Sequence, residues 1–400
     1  MKRVLFLMSD TGGGHRAAAE AVRDAMHTRY GSGAVAVEIV DVYKKCLFPL
    51  NYMPEFYPWW VNNIKVTWGV GFALTNTHPS ASVVANWIYL INRQRLRQMI
   101  LDHPADVVVS VHSVITRPTL SAFMTLPERP PFVTVVTDLV STPAFWYDKR
   151  TDKCFVPTHA AHQRGLACGM QPDQMDVVGL PVHPQFNVGL REKSTARREL
   201  GWDSDLPVVM LVAGGDGMGP LFETTRAIND RKLPCQLVVV AGRNHLLKAK
   251  LEAARWNQPI HIYGFVTDMP RKMSAADILV TKAGPATICE ACLAGLPMIL
   301  SGAIPGQETG NVDFVIQNDA GVFAPSPEKV AQAVTTWLAE GPEGLQRRAE
   351  NARRLSRPNA VWEIAETVWE YAHHPPIVNR RRSLLTELLE VPPMIFPTLS

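Results

Sequence analysis

Nowhere does the sequence offer the eighteen or so consecutive apolar residues that a helix needs to cross a bilayer, so any membrane contact is expected to be peripheral. A charge excess is missing too. Forty Lys and Arg against thirty-seven Asp and Glu leave a net +3, far short of what a nucleic-acid-binding surface carries, so no nucleic-acid partner is expected. Cysteine is scarce: Cys46, Cys154, Cys168, Cys235, Cys289 and Cys292 are all there is, and the single C-x-x-C lies in the apolar run ICEACLAG without a second pair to complete a zinc site. These thiols are expected to be reduced and structural, as in a cytosolic protein. A secretory leader is not recognisable either, because the first apolar run stops at Ser9-Asp10 with no small-residue cleavage site, and MKRVLFLM reads better as a first strand.

What is present is a globular composition, 46% apolar and 19% charged, spread over 400 residues, which exceeds one ordinary core and predicts two domains. Short β-branched runs recur at 4–8, 35–42, 106–111, 132–137 and 175–179, separated by helical stretches. A second series follows at 207–215, 236–242, 260–265, 277–284 and 297–302. Alternation of this kind predicts α/β architecture, two Rossmann-like parallel sheets with helices on both faces, whose ligand-binding ends would face each other across a cleft. The boundaries fall at 1–190 for an acceptor and membrane-binding domain, 191–357 for a donor-binding domain, and 358–400 for a tail. The helical pattern PNAVWEIAETVWEYAH at 358–373 is expected to cross back onto the first domain.

Residues 47–74 break the rhythm with many aromatics and few charges. Phe56, Tyr57, Trp59, Trp60 and Trp68 suit a membrane interface, where a ring enters the acyl region and its polar edge stays wet; a helix buried on the first domain is the competing reading.

The chemistry-bearing stretches sit at strand ends. SDTGGGHRAAAEA at 9–21 follows the first strand, and its glycines let backbone approach a ligand, with Gly14 and the amides behind it facing an anion. The G-x-G-x-x-G spacing of a nicotinamide-cofactor site is not met. His15, at the mouth of that loop, titrates in the range useful for taking a hydroxyl proton and is the candidate general base. Asp138, after the strand at 132–137, either orients His15, touches an acceptor hydroxyl, or merely caps a turn.

In the second half, AGGDGMGP at 213–220 brings Gly215 to a glycine turn suited to a diphosphate. In TKAGPATICEACLAGLP, Gly284, Pro285 and Thr287 open a helix whose first-turn amides and hydroxyl can hold a diphosphate leaving group. Glu290, one turn deeper, can accept both ribose hydroxyls, or it is a carboxylate favoured by the helix dipole. Gln307 and Glu308, in the next loop, suit sugar hydroxyls.

From SDTGGGH through VVTDL, VGLPV, GGDGMGP and GFVTDM to TKAGPATICEA and IPGQETGNV, the sequence resembles the monogalactosyldiacylglycerol synthases over about residues 1–335. These belong with the peptidoglycan-precursor transferase and bacterial diacylglycerol glucosyltransferases. The resemblance implies a GT-B fold, inversion at the anomeric carbon, UDP-galactose as donor and diacylglycerol as acceptor, without a catalytic metal or other cofactor. It makes His15 the base and places uracil at the Phe265 backbone, ribose at Glu290, and hexose at Gln307 and Glu308. The aromatic segment and the lack of a spanning run point instead to a peripheral enzyme on the cytoplasmic face of a membrane, and the basic cluster Arg380, Arg381 and Arg382 beside apolar residues suits anionic lipid headgroups, a solvated tail being the competing reading. The chain departs from the family in having Asp216 after Gly215 where Glu is common, and Ala286 where Gly is common. A UDP-glucose donor or a polyprenyl-linked acceptor fits the same motifs. So does a different class, an epimerase-like enzyme or a non-catalytic UDP-sugar sensor, neither of which needs the aromatic segment.

Overall fold

The computed structural model describes residues 1–56, 69, 74–215, 217 and 219–379. The chain divides into two compact units, one made of Met1–Pro181, Pro305–Gln307 and the chain from Asn359, the other of Val182–Ile304 and Glu308–Pro358.

In the first unit six parallel strands lie in the order β2-β1-β3-β5-β6-β7. They are β1 (Lys2–Met8), β2 (Val35–Asp41), β3 (Val107–Ser110), β5 (Phe132–Val135), β6 (Lys153–Val156) and β7 (Met175–Val177); β4 (Glu128–Arg129) pairs separately with β14 (Ile377–Val378). The two-residue period of β1 shows why the sheet is covered twice. Val4, Phe6 and Met8 point to one core, with Ala19, Val22, Ala25 and Met26 of helix α1 (Gly13–Tyr30). Leu5 and Leu7 point to the other, with Leu96, Met99 and Ile100 of α2 (His78–Asp102) and Ile115, Leu120 and Phe123 of α3 (Ser113–Phe123). A strand buried on both faces reads as an unbroken apolar run, which is what VLFLM is.

The second unit repeats the plan in the order β10-β9-β8-β11-β12-β13. Its strands are β8 (Val208–Val212), β9 (Gln236–Val240), β10 (Ile260–Tyr263), β11 (Ile278–Lys282), β12 (Met298–Gly302) and β13 (Gly321–Phe323). The stretch 185–200 carries two short helices, Gln185–Val188 and Lys193–Leu200.

Each order reverses direction once, between β1 and β3 in the first sheet and between β8 and β11 in the second. At such a reversal the following loops splay apart, and the carboxyl ends of the two central strands leave a crevice where open α/β sheets bind ligands. The glycine-rich stretches after β1, β8 and β11 all lie at these points.

The last helix among the described residues, α7 (Ala360–Tyr371), belongs to the first unit. Its Val361, Ile364, Ala365 and Val368 enter the core beside α1, as the period of the sequence predicts. Tyr30 stacks on Trp369 with ring centroids 4.4 Å apart. Among the described residues, no helix is long and apolar enough to cross a membrane. All six cysteines are free thiols.

Candidate active site

After β1 the chain turns through Gly12, whose φ of 113° only glycine adopts readily, and enters α1 with no side-chain cap and no acid in the first turn. A Cβ on Gly12, Gly13 or Gly14 would meet nothing within 4 Å, so these glycines open the loop to a ligand rather than pack it.

His15 stands in that first turn. Its Nδ1 lies 2.8 Å from the Val111 carbonyl and 2.9 Å from Thr137 Oγ1. A carbonyl can only accept, so Nδ1 carries the proton and Nε2 keeps its lone pair, the tautomer a general base requires. The ring is closely surrounded, and burial lowers its pKa to about 4, partly offset by the Val111 bond and by Asp10. It therefore stays neutral at physiological pH. The Val111 carbonyl and Thr137, rather than Asp138, orient the imidazole. Asp138 is buried and accepts from Trp146 Nε1 at 2.7 Å.

A second imidazole, not singled out from the sequence, sits beside the first. His112 follows β3, its ring centroid is 4.5 Å from that of His15, and its Nε2 lies 2.8 Å from Thr11 Oγ1. Burial, and then His15, lower its pKa well below the ordinary value, which favours the neutral ring. Its signal was its place: the residue after an apolar strand at the sheet's reversal.

In the second unit two glycine turns interlock. Arg243 N donates to Gly215 O at 2.8 Å, while Gly217 and Gly242 have φ of 59° and 60°. A Cβ on Gly217 would collide with the Ala241 carbonyl, and one on Gly242 with that of Gly215. Beside them Phe265 is 58% exposed, with the Arg243 guanidinium 5.1 Å from its ring centre.

Helix α5 (Pro285–Ala294) starts from Gly284 without a side-chain cap and without a first-turn acid. Pro285 lacks an N–H, and the amides of Ala286 and Thr287 head an open positive helix end. Glu290, half-buried one turn on, makes no hydrogen bond or ion pair among the described residues, and burial raises its carboxyl pKa to about 7.

Glu308, by contrast, is engaged. Its Oε1 receives Lys282 Nζ at 2.8 Å and its Oε2 the Ile304 amide at 2.9 Å. The loop divides at this point, for Gln307 groups with the first unit and Glu308 with the second. Asn311, also not singled out beforehand, donates Nδ2 to Ala283 O at 2.9 Å and steadies the approach to Gly284. Among the described residues no group of three His, Cys, Asp or Glu converges to hold a metal. Phe56 is exposed; Tyr57, Trp59, Trp60 and Trp68 lie outside the described residues.

Comparison with known proteins bears on this site directly. Residues 15–182 match the family model described as monogalactosyldiacylglycerol (MGDG) synthase, and residues 209–360 match the glycosyltransferase family 28 C-terminal domain. The chain is 38% identical to the probable monogalactosyldiacylglycerol synthase 2, chloroplastic, of Oryza sativa subsp. japonica, covering 95% of this chain and 82% of that protein. It is also 38% identical to the monogalactosyldiacylglycerol synthase 2, chloroplastic, of Arabidopsis thaliana, covering 92% and 81%. Among solved structures, MurG of Acinetobacter baumannii superposes with a TM-score of 0.60 at 16% identity, covering 92% of this chain and all of that one. Anabaena Alr3699/HepE, solved with UDP and glucose, gives a TM-score of 0.51 at 15% identity, covering 92% of this chain and 100% of that one. These two establish likeness of fold, the GT-B class.

Proposed function

The chain belongs to the monogalactosyldiacylglycerol synthase family, and we propose that it is an inverting hexosyltransferase that moves galactose from UDP-galactose to the free hydroxyl of diacylglycerol. The observation that carries the donor half of this reading is the uncapped start of α5 with the partnerless Glu290 one turn behind it. A helix amino end attracts a diphosphate, and a carboxylate at that depth accepts from two vicinal ribose hydroxyls.

In the reaction, His15 Nε2 takes the proton of the glycerol hydroxyl as its oxygen bonds the anomeric carbon from the face opposite the diphosphate. The bond from that carbon to the β-phosphate oxygen breaks, its electron pair leaves with UDP, and the product is the β-linked glycolipid. His15 has the tautomer for this task, its proton held on Nδ1 and Nε2 vacant, while a pKa of about 4, below the range expected from the sequence, makes it a weaker base than an ordinary imidazole.

The acceptor is a membrane lipid, and a surface suited to reach it accompanies the first unit. Phe48, Tyr52 and Phe56 are exposed, as are Trp87, Leu90 and Ile91 of α2, and Leu47 N donates to Asn92 Oδ1 at 2.7 Å, tying the two segments together. Exposed Lys44, Lys45, Arg93 and Arg95 stand close by in sequence, a pairing of apolar and basic groups that fits an anionic bilayer.

The decisive experiment incubates the purified protein with diacylglycerol and either UDP-galactose or UDP-glucose, then identifies the glycolipid. Monogalactosyldiacylglycerol from the first donor supports the reading, and release of a free or epimerised sugar without glycolipid overturns it. His15→Ala is expected to lose transfer by about a thousandfold while binding UDP nearly as well. Flotation with anionic vesicles checks the membrane surface.

A further inference from the structure

Lys282 occupies a place that a cation would avoid if nothing negative ever came there. It is the last residue of β11, two positions before the cap of α5, and the positive end of a helix repels an ammonium. The strand is also distorted to put it there. β11 pairs with β12 in regular register from Leu279 opposite Met298 to Thr281 opposite Leu300, but Lys282 then pairs with Gly302, so that Ser301 is passed over. Such a bulge re-aims side chains and is found disproportionately beside active sites. The outcome is an Nζ only 3.5 Å from where a Cβ on Gly284 would sit, directly over the open end of α5.

The counter-charge in this structure is Glu308, 2.8 Å away. The two partners are unlike in access. The Lys282 side chain is 35% exposed and the Glu308 side chain only 4%, so a ligand arriving at the helix end meets the ammonium first, and the carboxylate becomes reachable only once the ammonium has moved off it. Glu308 keeps its own anchor, the Ile304 amide on Oε2, when Oε1 is released.

We propose that Lys282 is the cation that receives the charge of the departing diphosphate, exchanging Glu308 for phosphate oxygens when the nucleotide sugar binds. The exchange frees Glu308 Oε1 to accept a hydrogen bond from the hexose. This rests on the donor reading given above. As the bond between the anomeric carbon and the β-phosphate oxygen breaks, the electron pair and its charge pass to UDP. The Lys282 ammonium then makes a charge-assisted hydrogen bond to that oxygen and keeps its own proton, while the hydroxyl proton goes to His15.

Titration calorimetry with UDP and with uridine tests it. Loss of a charge-assisted bond predicts that Lys282→Met binds UDP about tenfold or more weakly, with uridine changed less than about twofold, and that kcat falls with it. Glu308→Gln removes the competitor for the ammonium, so UDP should bind as well as to the unchanged protein or better, while turnover falls because the hexose loses an acceptor. Equal UDP affinity in Lys282→Met, or a tenfold weakening in Glu308→Gln, overturns the proposal. Should Lys282→Met fail to fold, the sign of the Glu308→Gln effect on UDP decides alone. An unchanged protein that binds neither UDP nor uridine removes the donor reading itself. One that binds UDP without regard to Lys282 removes this inference only.

Discussion

At the residue scale the informative groups are those whose protonation the fold has displaced. Glu290, with its pKa raised to about 7 by burial, is neutral in the folded protein over a range where the unfolded chain ionises it. The folded state therefore holds the extra proton between roughly 4.5 and 7, and this group's burial costs progressively more stability as pH rises through that window. Hydrogen bonds donated to the ionised form repay the cost, so nucleoside binding should strengthen as the carboxyl loses its proton. Uridine, which carries no phosphate to titrate, isolates the effect: its affinity is expected to fall about tenfold from pH 8 to pH 6, and Glu290→Gln should flatten the profile. A pH-independent affinity in the unchanged protein would take Glu290 out of the ribose contact. Sequence placed Glu290 correctly one turn inside its helix, but its lack of a partner and its displaced pKa depend on what surrounds it in space. The Lys282 partner of Glu308 was likewise hidden, since the two lie 26 positions apart and meet only in the folded chain.

At the scale of elements, the strands most plainly legible in the sequence were those buried on both faces, such as β1, β3 and β8, because continuous apolar runs of that length have few other uses; the partly exposed edge strands β2, β7 and β10 were legible as well. Lys153–Val156 and Gly321–Phe323 escaped notice for a physical reason. The first is KCFV, led by a lysine, and the second is GVF, opened by a glycine, so neither shows the β-branched run that marks even the short edge strand β7. Glycine-rich turns were legible as a class, but their two different uses were not. Gly14 lies inside a helix with open space around it, so Gly14→Ala should fold normally and affect only what approaches the loop. Gly242 is held at a φ of 60° with its missing side chain directed at the Gly215 carbonyl. Gly242→Ala must strain the backbone or push the two turns apart, which predicts a loss of about 1–3 kcal/mol together with weaker UDP binding. Thermal unfolding and UDP titration of both variants test this contrast. Equal behaviour of the two would show that the turns do not depend on each other.

At the scale of the whole molecule, the chain finishes the first unit only after building the second. Residues 359–371 supply Val361, Ile364, Ala365 and Val368 to a core whose other members, on β1 and α1, were laid down at the start of the sequence. The helix was readable in advance because apolar residues recur at helical spacing beyond the last strand of the second sheet, whereas its return to the first unit, expected from the sequence, is shown by what its apolar face packs against. Its consequence is an uneven distribution of damage. Ile364 is fully buried against the helix whose first turn carries His15, so Ile364→Ala should cost about 2–5 kcal/mol by opening a cavity there. The residues proposed to hold the nucleotide, Gly215, Phe265, Gly284 and Glu290, all belong to the second unit. Calorimetric unfolding of Ile364→Ala should therefore show a transition shifted downward, while UDP affinity measured well below that transition stays within about twofold of the unchanged protein. A parallel loss of UDP binding would mean that the nucleotide site draws its order from the first unit's core, and the division of labour between the two halves would have to be abandoned.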